Sequence, residues 1–177
     1  MSKTLIIVTG PPGAGKSTVS RLLAPNFSLC VNLHADDFWG YIHSGFIEPW
    51  LEEAHDQNRT VIGAVLESAQ AFSEGGFTVI LDGILGPWFV EEFKKKFLTK
   101  FDQVHYFVLR PDYDETVARA ISRGDGALVD LSPVDHMYGE FQSLEIFEKY
   151  VIDNSTMSAE ETAKHLASLV ELSANLL

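Results

Sequence analysis

Residues 10–17 read Gly10-Pro11-Pro12-Gly13-Ala14-Gly15-Lys16-Ser17. The stretch fits the phosphate-loop pattern G-x-x-x-x-G-K-[ST] at each fixed position: Gly10, Gly15, Lys16 and Ser17. Its surroundings fit as well. Thr4 to Thr9 is a short apolar, β-branched run, the signature of a buried parallel strand. After Ser17 the apolar residues Val19, Leu22 and Leu23 recur as a helix packed on that strand requires. A strand, a glycine loop and a helix start therefore follow one another, aiming backbone N–H groups and a positive helix end at one anion site. A plain Gly/Pro turn needs neither the lysine nor the serine. The expected nucleotide contacts are Gly10, Gly13, Ala14, Gly15, Lys16, Ser17 and Thr18, with Lys16 on the β- and γ-phosphates of ATP and Ser17 on Mg²⁺.

The 177 residues suit one domain, 1–177, with a core of its own. The net charge of −12 repels nucleic-acid phosphates and anionic membranes, so neither is expected as a partner. Lys94-Lys95-Lys96 reads as a solvated helix face. The single cysteine, Cys30, excludes an intrachain disulfide and reads as a buried strand thiol. The N-terminal apolar run is too short for a signal peptide or a membrane span, which makes a cytoplasmic protein, monomer or homodimer, the expectation.

Strand-like and helix-like segments alternate along the chain. Strands are expected at 4–9, 28–33, 77–82, 103–109 and 149–153; helices at 15–24, 57–74, 87–98, 112–123, 133–142 and 159–174. Such alternation predicts an α/β fold, a parallel sheet with helices on both faces. Asp112 and Ser158, each followed three residues later by Glu, read as helix N-caps, and Ser132-Pro133 as an N-cap with Pro at the first helical position. In 57–74, Val61, Val65, Ala69 and Phe72 form one apolar stripe. Residues 38–56, rich in aromatics, fit neither period and sit where α/β proteins place acceptor-binding elements.

Further constellations carry chemistry. Phe77 to Asp82 is an apolar strand ending in an acid, the Walker B pattern, which makes Asp82 a Mg²⁺ ligand directly or through water. Asp36 and Asp37 follow strand two; there a carboxylate either faces the γ-phosphate and accepts a proton from an attacking hydroxyl, or caps a helix. His34 reads as structural, with a histidine phosphate acceptor as the alternative. Arg119 and Arg123 share a helix face beside Gly124-Asp125-Gly126; they either close over the nucleotide as a lid or stay solvated. Arg110 touches the nucleotide or pairs with an acid. Arg59 is the best candidate for an acceptor contact, and Ser155 falls in a loop near the nucleotide base.

These residues resemble the small bacterial P-loop kinases grouped with gluconate kinase, chloramphenicol phosphotransferase and zeta toxin. The resemblance runs nearly full length, through residues 10–17, His34 to Trp39, Asp56 to Arg59, Val79 to Gly83, Leu109-Arg110-Pro111, Ala118 to Gly124 and Glu140 to Glu145. It implies a nucleoside-monophosphate-kinase-like, three-layer P-loop NTPase fold with five parallel strands. It also implies that Asp36, rather than Asp37, is the catalytic base, and that Arg119 and Arg123 are lid arginines in a lid at about 119–132. The acceptor region, about 36–60 with Asp37 and Arg59, matches no substrate signature, and Ala35-Asp36 stands where gluconate kinases have Gly-Asp. The expected activity is ATP- and Mg²⁺-dependent phosphoryl transfer to a small-molecule acceptor such as a nucleotide, nucleoside, sugar acid or antibiotic. A regulatory GTPase is disfavoured: no Asn-Lys-x-Asp signature is present, and Asp37-Phe38-Trp39-Gly40 follows the wrong strand. The alternative is an ATP-binding sensor or partner-binding protein without turnover.

Overall fold

The computed structural model describes residues 2–122 and 131–177. Five strands, β1 (Thr4–Thr9), β2 (Cys30–His34), β3 (Thr78–Asp82), β4 (Gln103–Leu109) and β5 (Val151–Ile152), form one sheet in the order β2-β3-β1-β4-β5. Every pairing is parallel, with Val8 of β1 opposite both Asp82 of β3 and Phe107 of β4. The sheet is the parallel one that the alternation predicts.

Alternate residues of β1 feed two separate cores, as a strand covered on both faces requires. Leu5 and Ile7 pack with Val61, Ile62, Val65 and Leu66 of α3 (His55–Glu74) and with Phe93 and Phe97 of α4 (Pro87–Lys100). Ile6 and Val8 pack instead with Val19 and Leu23 of α1 (Lys16–Leu23) and Ala163 and Leu166 of α7 (Ala159–Glu171). Each such buried aliphatic side chain contributes roughly 1.5–3 kcal/mol in transfer free energy. The α3 stripe differs from expectation at one place. Phe72 is 39% exposed, packing edge-on against Phe77, while Ile62 and Leu66 complete the buried face.

Local signals set most boundaries. Asp112 caps α5 (Tyr113–Ile121) by accepting from the Glu115 N–H, and Ser158 with Glu161 forms a complete capping box on α7. At α6 (Ser132–Glu140) Leu131, not Ser132, holds the N-cap position, so the proline lies one step further in, where its missing N–H has no intrahelical partner to lose. The strand expected at 149–153 shrinks to two residues, because Glu145–Tyr150 winds into a 3₁₀ helix. The uncovered part of β4 is occupied by the C-terminal segment instead: Asn175 accepts from the Tyr106 N–H at 2.9 Å and Leu177 donates to Val104 at 3.0 Å. Cys30 lies on the edge strand β2 and is half-buried rather than buried; burial still pushes its thiol up to about 11.

Residues 37–54 hold α2 (Asp37–Gly40) and a 3₁₀ turn at Glu52–Ala54, and are otherwise irregular up to the start of α3. Two side chains of α3 staple them down. Gln57 bonds both the N–H and the C=O of Ile47, and Asn58, buried, donates to Pro49 O at 2.7 Å and accepts from Trp39 Nε1 at 2.8 Å. The segment is thus fixed by side-chain bonds rather than by a backbone repeat, which is why neither period fits it.

Candidate active site

The loop after β1 lies at the carboxyl edge of the sheet, where β3 and β4 diverge to either side of β1. This is the topological switch point at which open α/β sheets bind ligands. Gly13 and Gly15 take φ of 87° and 90°, in the left-handed region that glycine enters without strain. Gly13 also packs directly on α5: a Cβ there would stand 2.3 Å from the Thr116 carbonyl oxygen. Lys16 is buried and its Nζ donates to Pro11 O at 3.0 Å. The Ser17 hydroxyl donates to Asp82 Oδ1 at 2.8 Å, and His34 Nδ1 lies 2.7 Å from the same oxygen. Asp82 is fully buried, and its Oδ2 has no hydrogen-bond partner among the described residues.

Asp36 stands at the end of β2 beside β3, exposed, with Oδ1 3.4 Å from the Ile84 N–H. It lines a cavity of about 830 Å³ together with Pro12 of the phosphate loop. The rest of the lining comes from three directions. The stapled segment and α3 give Trp39, Trp50, Glu52 and His55; the β3–α4 turn and α4 give Ile84, Trp88 and Phe89; and α6 gives His136, Met137 and Glu140. On the other side of the phosphate loop lies a second groove of about 410 Å³, bounded by Gly15, Thr18, Arg119, Asn154 and Met157. Arg119 is held there by Glu115 at 2.7 Å and by the Asn154 carbonyl at 3.0 Å; the buried Asn154 side chain in turn donates to Ala14 O at 3.2 Å.

Other expected site residues are elsewhere. Arg59 points to α4 and pairs with Glu92, outside the lining of the large cavity. Asp37 is exposed in the first turn of α2 and also outside that lining. Arg110 is committed to the protein: its guanidinium makes two 2.9 Å bonds to Glu148, holding that carboxyl below its usual range, and donates to Phe141 O at 2.9 Å. Ser155 accepts from the Asp112 N–H at 2.8 Å and donates to Asp153, so it ties two loops together outside the groove. Arg123 and Gly124-Asp125-Gly126 lie outside the described residues. His136 and Met137 of α6 carried no motif, Glu140 only opens the segment Glu140 to Glu145, and tertiary packing brings all three to the cavity; the aromatics of 38–50 were legible as an irregular insertion at the place of acceptor-binding elements.

Residues 6–128 match the AAA domain family. The chain belongs to that family. No curated protein matches the sequence. Among solved structures, this AAA-domain chain is similar to a sugar kinase from Janibacter sp. HTCC2649 (17% identity, TM-score 0.71, 97% of this chain and 98% of that one). It is likewise similar to the APS kinase of Mycobacterium tuberculosis (16%, 0.71, 96% and 98%) and to a tunicamycin resistance protein of Deinococcus radiodurans (17%, 0.70, 98% and 97%). At these identities the likeness is one of fold: the AAA-domain chain has the α/β architecture of small P-loop kinases, as expected. No helix among the described residues is long and apolar enough to cross a membrane.

Proposed function

We propose that the protein transfers the γ-phosphoryl group of ATP to a hydroxyl of a small molecule held in the large cavity. One observation carries this reading: Asp36 and Pro12 join that cavity to the phosphate loop, so a carboxylate stands where an acceptor would meet the γ-phosphate. The groove beside Arg119 and Asn154 takes the nucleotide base and ribose, and the backbone of Gly13, Ala14 and Gly15 cradles the phosphates. Lys16, released from Pro11, holds the β- and γ-phosphates. The acceptor oxygen attacks the γ-phosphorus, the bond to the β,γ-bridging oxygen breaks with its electrons leaving on ADP, and the acceptor proton passes to Asp36 and then to water. Arg119, with Arg123, balances charge on the transferred group. Residues about 36–60 and 119–132 form the acceptor and closing segments.

The residues fit Mg²⁺. Ser17 Oγ and the unpartnered buried Oδ2 of Asp82 are hard oxygen donors at one point, and among the described residues no cluster of three or more His, Cys, Asp or Glu is built to hold a metal alone. Mg²⁺, when bound, neutralises charge developing on the phosphate oxygens. The test is ADP release by purified protein with ATP·Mg²⁺ across a panel of hydroxyl compounds, with Lys16→Ala as control. Release that depends on one acceptor and vanishes in Lys16→Ala supports the reading. ATP binding with no acceptor-dependent release from any compound overturns it in favour of a sensor.

A further inference from the structure

On the reading that the large cavity holds the acceptor, we infer that this acceptor is a ring-bearing alcohol without negative charge, with a protonated amine favoured over a neutral group. The cavity lining contains no arginine or lysine among the described residues. Among the described residues, Arg59 is engaged with Glu92 and Arg110 with Glu148, while Lys16 and Arg119 stand at the phosphate loop and its second groove. A carboxylate or phosphate entering there would lose hydration with no permanently charged side chain to replace it, only the imidazoles of His55 and His136, against a chain of net charge −12. Glu52 and Glu140, exposed in the lining, add to that repulsion and attract the opposite sign.

The apolar walls favour a ring. Trp39, Trp50 and Trp88 all line the cavity, as do Phe89 and Met137. Trp39 is fixed by Asn58, so that wall is formed before any ligand arrives. Indole faces bind planar rings and, better, cations held above them. At about 830 Å³ the cavity lies in the upper part of the ~300–1,000 Å³ range of drug-sized ligand sites.

These are also the three tryptophans of the chain, so indole emission excited on its red edge reports this cavity alone. Matched probes separate charge from shape: 2-amino-1-phenylethanol, 1-phenyl-1,2-ethanediol and mandelate share one ring and one benzylic hydroxyl and differ in charge. Glucamine, sorbitol and gluconate form the corresponding set without a ring. The amine and the diol should bind more tightly than mandelate, the amine by about tenfold at low salt, and each ringed probe more tightly than its sugar counterpart. Glu52→Gln with Glu140→Gln should weaken the amine more than the diol. Mandelate binding as well as the amine, gluconate outranking the ringed probes, or no emission change with any of the six overturns the inference. Phosphoryl transfer is read separately as ADP release. Compounds that bind with the expected ranking while the acceptor panel yields no ADP count against the kinase reading and not against the charge selection.

Discussion

Gly13→Ala should cost this fold far more than Gly15→Ala, although the two glycines have nearly the same backbone angle. Their φ values are 87° and 90°, so an alanine at either position carries the left-handed penalty of about 1–2 kcal/mol. Their surroundings differ. At Gly15 the new methyl would meet nothing closer than Arg119 Nη1 and Val19 Cγ2, both at 4.0 Å, an ordinary contact. At Gly13 it would stand 2.3 Å from the Thr116 carbonyl oxygen, more than 1 Å inside the ~3.5 Å of a normal contact. That oxygen belongs to the backbone of α5, so it cannot rotate away; the loop or the helix must shift, adding about 1–3 kcal/mol. In a chain of this size each 1 kcal/mol lowers Tm by roughly 2–4 °C. Thermal unfolding without nucleotide should show Gly15→Ala a few degrees below wild type and Gly13→Ala about 10 °C below. Equal losses in the two variants would refute the claim that the loop packs closely on α5 at Gly13.

The other outcomes concern the site and its pH response. If Asp36 takes the acceptor proton, Asp36→Asn should keep ATP affinity while turnover falls by about 10²–10⁴, and Asp37→Asn should do much less because Asp37 lies outside the cavity; the reverse ranking in steady-state kinetics sinks the assignment. Arg119→Ala should lower kcat and weaken ATP together, since the side chain reaches the groove and the Asn154 carbonyl, and Arg119→Lys should restore only part of either, for lack of a planar fork. His105 is fully buried, and burial, only partly offset by its bond to Ala174 O, holds it below its usual range. The unfolded chain therefore binds more protons than the folded one between the depressed folded value and 6.5, the ordinary histidine value, so stability is complete above that and falls as pH drops through the window. Urea titrations at pH 7 and pH 5 should show that loss, and His105→Gln should reduce it; an unchanged slope would assign acid sensitivity to other groups.

What the sequence makes legible is what is local or carried by a motif. The caps at Asp112 and Ser158 act over three residues, and both appear where their spacing puts them. The contact between Ser17 and Asp82 joins residues 65 apart, yet two chemical motifs anticipate it because each is defined by the same ligand. The arginines show the limit. Arg59 finds Glu92 and Arg110 finds Glu148, 33 and 38 residues away, and no pattern in sequence tells a ligand contact from an ion pair at that range. The same limit hid two walls of the large cavity: 38–56 stood out as the place for acceptor-binding elements, but nothing in the sequence brought α4 and α6 to it. Its walls come from the stapled 38–56 segment, α4 and α6, elements that meet only once the sheet has formed.

The two subsites also divide the charge. Lys16, Arg119 and the loop amides gather at the phosphate loop and its second groove, while the described lining of the large cavity has acids, rings and two histidines but no lysine or arginine. A protein of net charge −12 can bind a polyphosphate only where backbone dipoles and buried cations overcome its general field. On the proposed reading, a second ATP would find none of those groups in the described lining of the large cavity. On the same proposed reading, the segregation of charge that disfavours anions in the large cavity also keeps the donor from occupying both halves of the site.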